Sequence, residues 1–286
     1  MRDYVIITDS GSDLSDAKAA ELGVIVLPLT ALDANGAAIP MPIDYTEFYN
    51  MLRNKGLCTT SAVSPAAFED AFRAQAAAGL DILYLGFSSG LSSTYQAGET
   101  AAQTVREEFP DCRIETVDTL CASLGEGLLV YLAVQRKRAG ASLEEVRDFA
   151  LDTRLHLCHN FTVDDLMFLH RGGRVRRSTA VLGSVLMIKP VMHVDNEGHL
   201  VKIGTARGRK KAIDALLLNM AERAYDLTEQ TVFISHGDCE ADAQALAERL
   251  RSEYGVKEVF IDYVGAVIGA HSGPGTLAFF FLGKER

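Results

Sequence analysis

Two hydroxyl-rich segments carry the residue types best suited to holding a small anion. The first runs Thr59, Thr60, Ser61, Ala62, Val63, Ser64, Pro65. Ser64 followed by Pro65 reads as the N-cap and first residue of a helix. The second, Ser88, Ser89, Gly90, Leu91, Ser92, Ser93, Thr94, lies between an apolar strand-length run at Ile82 to Gly86 and a helical pattern. Hydroxyls beside the free N–H groups of a helix start suit an anionic oxygen, and in an open parallel sheet ligands sit beyond the carboxyl ends of the strands. The plainer alternative is that these Ser and Thr only cap helices and fill turns. A third segment, Gly265 to Gly275, reads as a glycine-rich loop that brings His271 and Ser272 to a strand end. Glycine there permits left-handed backbone and close approach to another group.

Other readings compete for the same residues. Gly86 to Gly90 matches GxSxG after a strand, the setting of a hydrolase nucleophile, and a later Asp with His271 would complete the order Ser, Asp, His. Against a serine hydrolase or esterase built on Ser88, the helix starts after Leu91 or Ser92, no HGGG-type segment precedes it, and Thr60 and Ser61 are left without a role. The hydrolase is therefore the alternative, behind a binding protein that is not itself an enzyme. Asp9, Asp13 and Asp118 are candidate magnesium ligands, but without a GxxxxGK loop a capping network is favoured and no metal is expected. Basic residues gather at Arg171, Arg174, Arg176 and Arg177 and again at Arg207, Arg209, Lys210 and Lys211. Each cluster is a docking surface or anion clamp, set against a merely solvated face.

The elements that must position these groups alternate between strand-length apolar runs and helical patterns through the first half, the mark of a helix-covered parallel sheet. Strands are expected at Tyr4 to Ile7, Val24 to Leu29, Ile82 to Gly86 and Ile114 to Val117. Helices are expected at Ser15 to Leu22, Phe68 to Ala78, Thr94 to Phe109, Leu124 to Arg138 and Leu143 to Leu155, with Ser142 and Glu145 forming a capping box. The second half reads as strands at Val185 to Val194 and Leu200 to Ile203 joined by a hairpin at Asp195 to Gly198, then helices at Lys210 to Ala224 and Ala241 to Tyr254. Strands at Val232 to Ser235, Glu258 to Tyr263 and Thr276 to Leu282 complete it. The sequence thus predicts an α/β protein of two domains. Residues 1–158 form an N-terminal parallel-sheet α/β/α (Rossmann-like) domain and residues 159–286 a C-terminal mixed α+β domain, with the boundary near Leu157 to Phe161.

Composition narrows the function. The 38 Asp and Glu outnumber the 28 Lys and Arg, and the resulting net charge of −10 argues against a nucleic-acid binder. No apolar run approaches membrane-spanning length and the start lacks a signal-peptide layout, so a cytoplasmic protein without membrane insertion is expected. The 5 cysteines include no CxxC pair, which indicates neither a disulfide framework nor a clustered zinc site.

In order, these motifs resemble the DegV family, whose members include the fatty-acid-binding subunits of bacterial fatty acid kinase. The family's TDSxxDL is matched by Thr8 to Leu14, TSxxS by Thr60 to Ser64, and SSxLSGTYQ by Ser88 to Gln96 with Ser93 in the glycine's place. DLxxLxxGGR is matched by Asp165 to Arg174, KP by Lys189 and Pro190, RGxKKA by Arg207 to Ala212, and HxGPG by His271 to Gly275. Ala62 and Val63 stand where the family has Gln-Pro. The resemblance implies a protein that buries a long-chain fatty acid between its domains, with no other cofactor, and presents the carboxylate to a separate ATP-dependent fatty acid kinase subunit for acyl-phosphate formation. On that reading Thr60, Ser61 and Ser92 bond the carboxylate with His271 and Arg207 nearby, while Arg171, Arg174, Arg176 and Arg177 dock the kinase.

Overall fold

The computed structural model describes residues 2–176 and 187–286. The first half runs β1 (Tyr4–Asp9), α1 (Asp16–Leu22), β2 (Ile25–Leu27), β3 (Thr30–Leu32), α2 (Tyr45–Arg53), β4 (Thr59–Ser61), α3 (Pro65–Ala77), β5 (Asp81–Gly86), α4 (Thr94–Glu108), β6 (Ile114–Asp118), α5 (Leu124–Arg138) and α6 (Leu143–Thr153). The second continues through β7 (Leu157–Thr162), α7 (Leu166–Arg171), β8 (Ile188–Val194), β9 (Leu200–Arg207), α8 (Arg209–Arg223), β10 (Thr231–His236), α9 (Glu240–Tyr254), β11 (Glu258–Tyr263), α10 (Ala266–Ser272) and β12 (Leu277–Leu282).

Local chemistry sets several of these boundaries. Ser64 Oγ accepts the Ala67 N–H with Pro65 opening α3, and Ser142 with Glu145 closes a full capping box on α6. The Asp195 carboxylate accepts the N–H groups of Glu197 and His199, which fixes the turn between β8 and β9.

A four-stranded parallel sheet in the order β2-β1-β5-β6 organises the first half. The second half is a six-stranded sheet, β11-β10-β12-β7-β8-β9, parallel only between β10 and β11. Side-chain alternation on the strands divides the core into layers. Ile82 and Tyr84 of β5 face α3 and α4, joining Phe68, Phe72 and Ala101. Leu83 and Leu85 of the same strand face α5 and α6. Beyond those helices, Phe233 of β10 and Phe280 of β12 close the same core from the second sheet, while Phe279 and Phe281 point to α8 and α9. Helix α5 is thus shared by both sheets, while α6 packs beside it against β5 and β6. Among the described residues no helix is long and apolar enough to cross a membrane.

Several segments differ from the sequence reading. Leu157–Thr162, expected to join the halves, is the fully buried strand β7, and the second sheet begins with it. Its polar residues hid it: Asn160 Nδ2 donates to the Leu216 carbonyl, and His159 is hydrogen-bonded through both ring nitrogens. The expected glycine-rich loop contains helix α10, because its glycines serve close packing. A Cβ on Gly269 would stand 2.6 Å from the Tyr49 hydroxyl. Helix α2 and the small antiparallel pair of β3 with β4 were not anticipated. The expected strand start at Val185 lies outside the described residues, and β8 runs from Ile188.

Candidate functional site

Strand β4 is three residues long and pairs with β3 so that Ala31 faces Thr60. Strand alternation leaves Thr59 and Ser61 exposed and turns Thr60 inward. Thr60 Oγ1 lies 2.7 Å from Nε2 of His271, in the last turn of α10. Helix α7 packs against α10, and Gly172 at its end lets the imidazole in, since a Cβ there would collide with His271 Nδ1. Burial, with the nearby Arg174 charge second, pushes the His271 pKa down to about 4, so the ring is neutral at pH 7.

Arg174 ties this corner to the second hydroxyl loop. Its Nε and Nη2 donate to the Leu91 carbonyl at 3.1 and 2.9 Å, and Nη1 donates to the Gly172 carbonyl. Ser92, next to that carbonyl, holds the start of α4: its Oγ accepts the Thr94 N–H at 3.2 Å and meets Thr94 Oγ1 at 2.9 Å. The guanidinium is half-buried, which lowers its pKa, and no carboxylate pairs with it among the described residues.

Thr60, Ser92, His271 and Arg174 line one cavity. Its remaining wall is largely apolar, with Leu29, Phe87 and Leu91 on the first sheet's side, Phe161 and Val194 from the second sheet, and Val267 from α10. An outer groove lined by Leu57, Phe168 and Arg171 shares Thr60, Arg174 and His271 with the cavity. These three side chains therefore stand between an apolar interior and the surface. The arrangement suits an amphipathic anion: one guanidinium, one neutral imidazole and hydroxyls for an oxyanion, and hydrocarbon walls for the rest.

The structure separates the expected residues. Thr60, Ser92 and His271 come together. Ser61 does not join them, because alternation on β4 leaves it exposed with its Oγ 3.4 Å from the Ala62 carbonyl. Arg207 ends β9 with its side chain exposed and does not line the cavity. Arg174, expected on a docking face, takes the place at the cavity that Arg207 was expected to fill. The pair of glycines before Arg174 was the available signal, since glycines permit such close approach. Arg171 is exposed over the Phe168 ring at 4.5 Å, Arg176 is exposed, and Arg177 lies outside the described residues.

Ser88 is fully buried, and its Oγ donates to the Gly198 carbonyl at 3.0 Å and accepts the Gly90 N–H at 3.2 Å. Its proton is committed to main chain and not to a histidine, so the GxSxG segment is a packed turn here. The early acidic residues hold backbone and hydroxyl groups. Asp9 accepts from Gly11 N, Tyr84 Oη and Phe87 N, while Asp118 accepts from Ser89 N and Leu120 N.

A family model described as an uncharacterised protein of the DegV family matches residues 3–284. A DegV domain-containing protein of Clostridium perfringens is 43% identical over 289 residues, which cover 100% of this chain and 99% of the relative. The fold is similar to that of a DegV family protein from Thermus thermophilus, whose solved structure is described by its fatty acid binding. There the TM-score is 0.86 with 35% identity, over 98% of this chain and 99% of that one. A DegV lipid-binding protein from Thermotoga maritima is similar with a TM-score of 0.87 and 29% identity, over 99% of each chain.

Proposed function

The chain belongs to the DegV family, and from that premise we propose that its cavity holds a long-chain fatty acid whose carboxylate meets Thr60, Ser92, His271 and Arg174. The acid is then presented to a separate ATP-dependent kinase subunit for acyl-phosphate formation. The observation that carries the reading is Arg174: a half-buried guanidinium without a carboxylate partner among the described residues, at the polar corner of an apolar cavity. A buried cation is costly unless an anion joins it, and a ligand carboxylate supplies that anion.

The acyl chain supplies most of the affinity. At about 0.8 kcal/mol per buried methylene, a long chain contributes more than about 10 kcal/mol before the cost of ordering it. The relatives from Thermus thermophilus and Thermotoga maritima, described as fatty-acid-binding and lipid-binding, support this choice of ligand. Presentation to a kinase is supported by the outer groove, which shares Thr60, Arg174 and His271 with the cavity and so leaves the carboxylate reachable from outside.

Mass spectrometry of the purified protein after denaturation tests the reading. Release of a stoichiometric fatty acid is expected. Release of none, together with no uptake of added stearic acid by the protein, overturns it.

A further inference from the structure

The cavity has a second polar region, away from the Thr60 and His271 pair in the hydrogen-bond network. Ser123, just before α5, and Ser235, on β10, both line it. Ser123 Oγ lies 2.5 Å from Asp13 Oδ2 and 2.9 Å from Ser235 Oγ. A hydroxyl carries one proton and two acceptor positions. Ser123 uses two of these three on Asp13 and Ser235. Ser235, fully buried, has only Ser123 as a partner among the described residues.

Two other polar groups of this wall, His159 and Thr276, are already satisfied. His159 Nε2 accepts the Ala122 N–H and Nδ1–H donates to the Leu157 carbonyl, while Thr276 Oγ1 donates to the Gly273 carbonyl. Ser272, 5% exposed and lining the same cavity, has an Oγ with no partner. The buried hydroxyls of Ser235 and Ser272 therefore keep open hydrogen-bonding positions at a cavity whose wall is largely apolar, where an unmet hydroxyl is costly. Ser123 has a backbone conformation that side-chain-bearing residues avoid, with φ of 55°.

We propose that Ser235, backed by Ser123 and Asp13, is a subsite for an oxygen carried on the acyl chain, so that the cavity takes hydroxylated fatty acids as well as plain ones. This deepens the fatty-acid reading of the same cavity and rests on it. Burial pushes the Asp13 pKa up to about 8, so its carboxyl is held far from the usual carboxylate range. Ser123 Oγ–H donates to Asp13 Oδ2 and Ser235 Oγ meets Ser123 Oγ, which leaves Ser235 with hydrogen-bonding capacity for a hydroxyl on the chain. A chain hydroxyl placed there exchanges water for a protein partner, whereas elsewhere in the cavity it is buried unmet.

The test compares stearic acid with a positional series of hydroxystearic acids, titrated into the wild-type protein and into Ser235→Ala. At least one isomer should bind the wild type as tightly as stearic acid does. In Ser235→Ala that isomer should lose roughly tenfold in affinity while stearic acid is unchanged, which also shows that the variant folds. If every isomer binds more weakly than stearic acid and Ser235→Ala weakens none of them selectively, the serines only brace the fold or hold a water, and the proposal is wrong. If stearic acid itself fails to bind the wild type, the fatty-acid reading falls and this one with it.

Discussion

Thr60 Oγ1 and His271 Nε2 lie 2.7 Å apart although 211 residues separate them along the chain. The first belongs to a three-residue strand at the edge of the N-terminal half and the second to a short helix near the end. Their contact sets the polar corner of the cavity, and the neutral imidazole leaves Arg174 as the positive group there.

Thr60 and Ser61 are adjacent and chemically alike, yet they face opposite ways. Thr60→Ala should weaken fatty-acid binding about ten- to a hundredfold, the usual cost of a hydroxyl bonded to a charged group. Ser61→Ala should leave it unchanged. Displacement of a fluorescent fatty acid measures both, and equal effects of the two substitutions would refute the assigned facing of β4.

Gly172 has φ of −71°, a backbone that alanine adopts freely, so Gly172→Ala isolates a steric effect. Its methyl group would displace His271. Binding should fall at least about tenfold, and a second substitution, His271→Ala, should make the Gly172→Ala change nearly silent. Additive losses in the double variant would show that the glycine acts elsewhere.

The two arginines, which the sequence reading assigned the other way round, should behave differently. Arg174→Gln removes the cavity's guanidinium and should lower affinity for stearate by about ten- to a hundredfold, while Arg207→Ala should match the wild type. Calorimetric titration at low and moderate salt decides it.

Arg171 and Arg176 are exposed and are the described members of the cluster left for a partner. Charge reversal of both to Glu should preserve lipid binding and lower acyl-phosphate production by a cognate kinase, with a contact that weakens as salt rises. Undiminished phosphorylation would make this a solvated face.

The Asp13 carboxyl titrates at about 8 in the folded chain, far above its ordinary 3.8, because it is buried. The folded state therefore holds a proton that the unfolded chain releases between those values, and stability declines as pH rises from about 4 to about 8. Asp9, pushed to about 6 by burial, acts in the same direction over the lower part of that window. Asp13→Asn should consequently raise Tm more at pH 8 than at pH 6, as measured by differential scanning calorimetry. An equal change at the two pH values would contradict the assignment.

What the sequence disclosed was whatever neighbouring residues decide among themselves. Ser64 with Pro65, the Ser142 and Glu145 box, and the Asp195 turn act over a few positions, and each is where the pattern placed it. The parallel sheet was likewise legible from apolar strands such as Asp81–Gly86, buried along its whole length. The choice of Thr60 over Ser61 depends on how β4 registers against β3, and the choice of Arg174 over Arg207 depends on packing among distant elements. Neither leaves a local trace. Strand β7 was concealed because His159 and Asn160 break its apolar run while finding partners only in the folded molecule.

The position of β12 between β10 and β7 has a consequence for the order in which the molecule is made. A chain emerging from its amino end has every strand of the first sheet by residue 118, whereas the second sheet lacks its central member until residues 277–282 are available. Until then α5 has no β12 to cover it and the cavity has no Ala278 wall. Such long-range pairing is slow and leaves apolar surface open to association. On the fatty-acid reading proposed above, ligand capture is therefore the last property the growing polypeptide acquires, and fragments stopped short of Leu277 would expose apolar surface before they could hold a ligand.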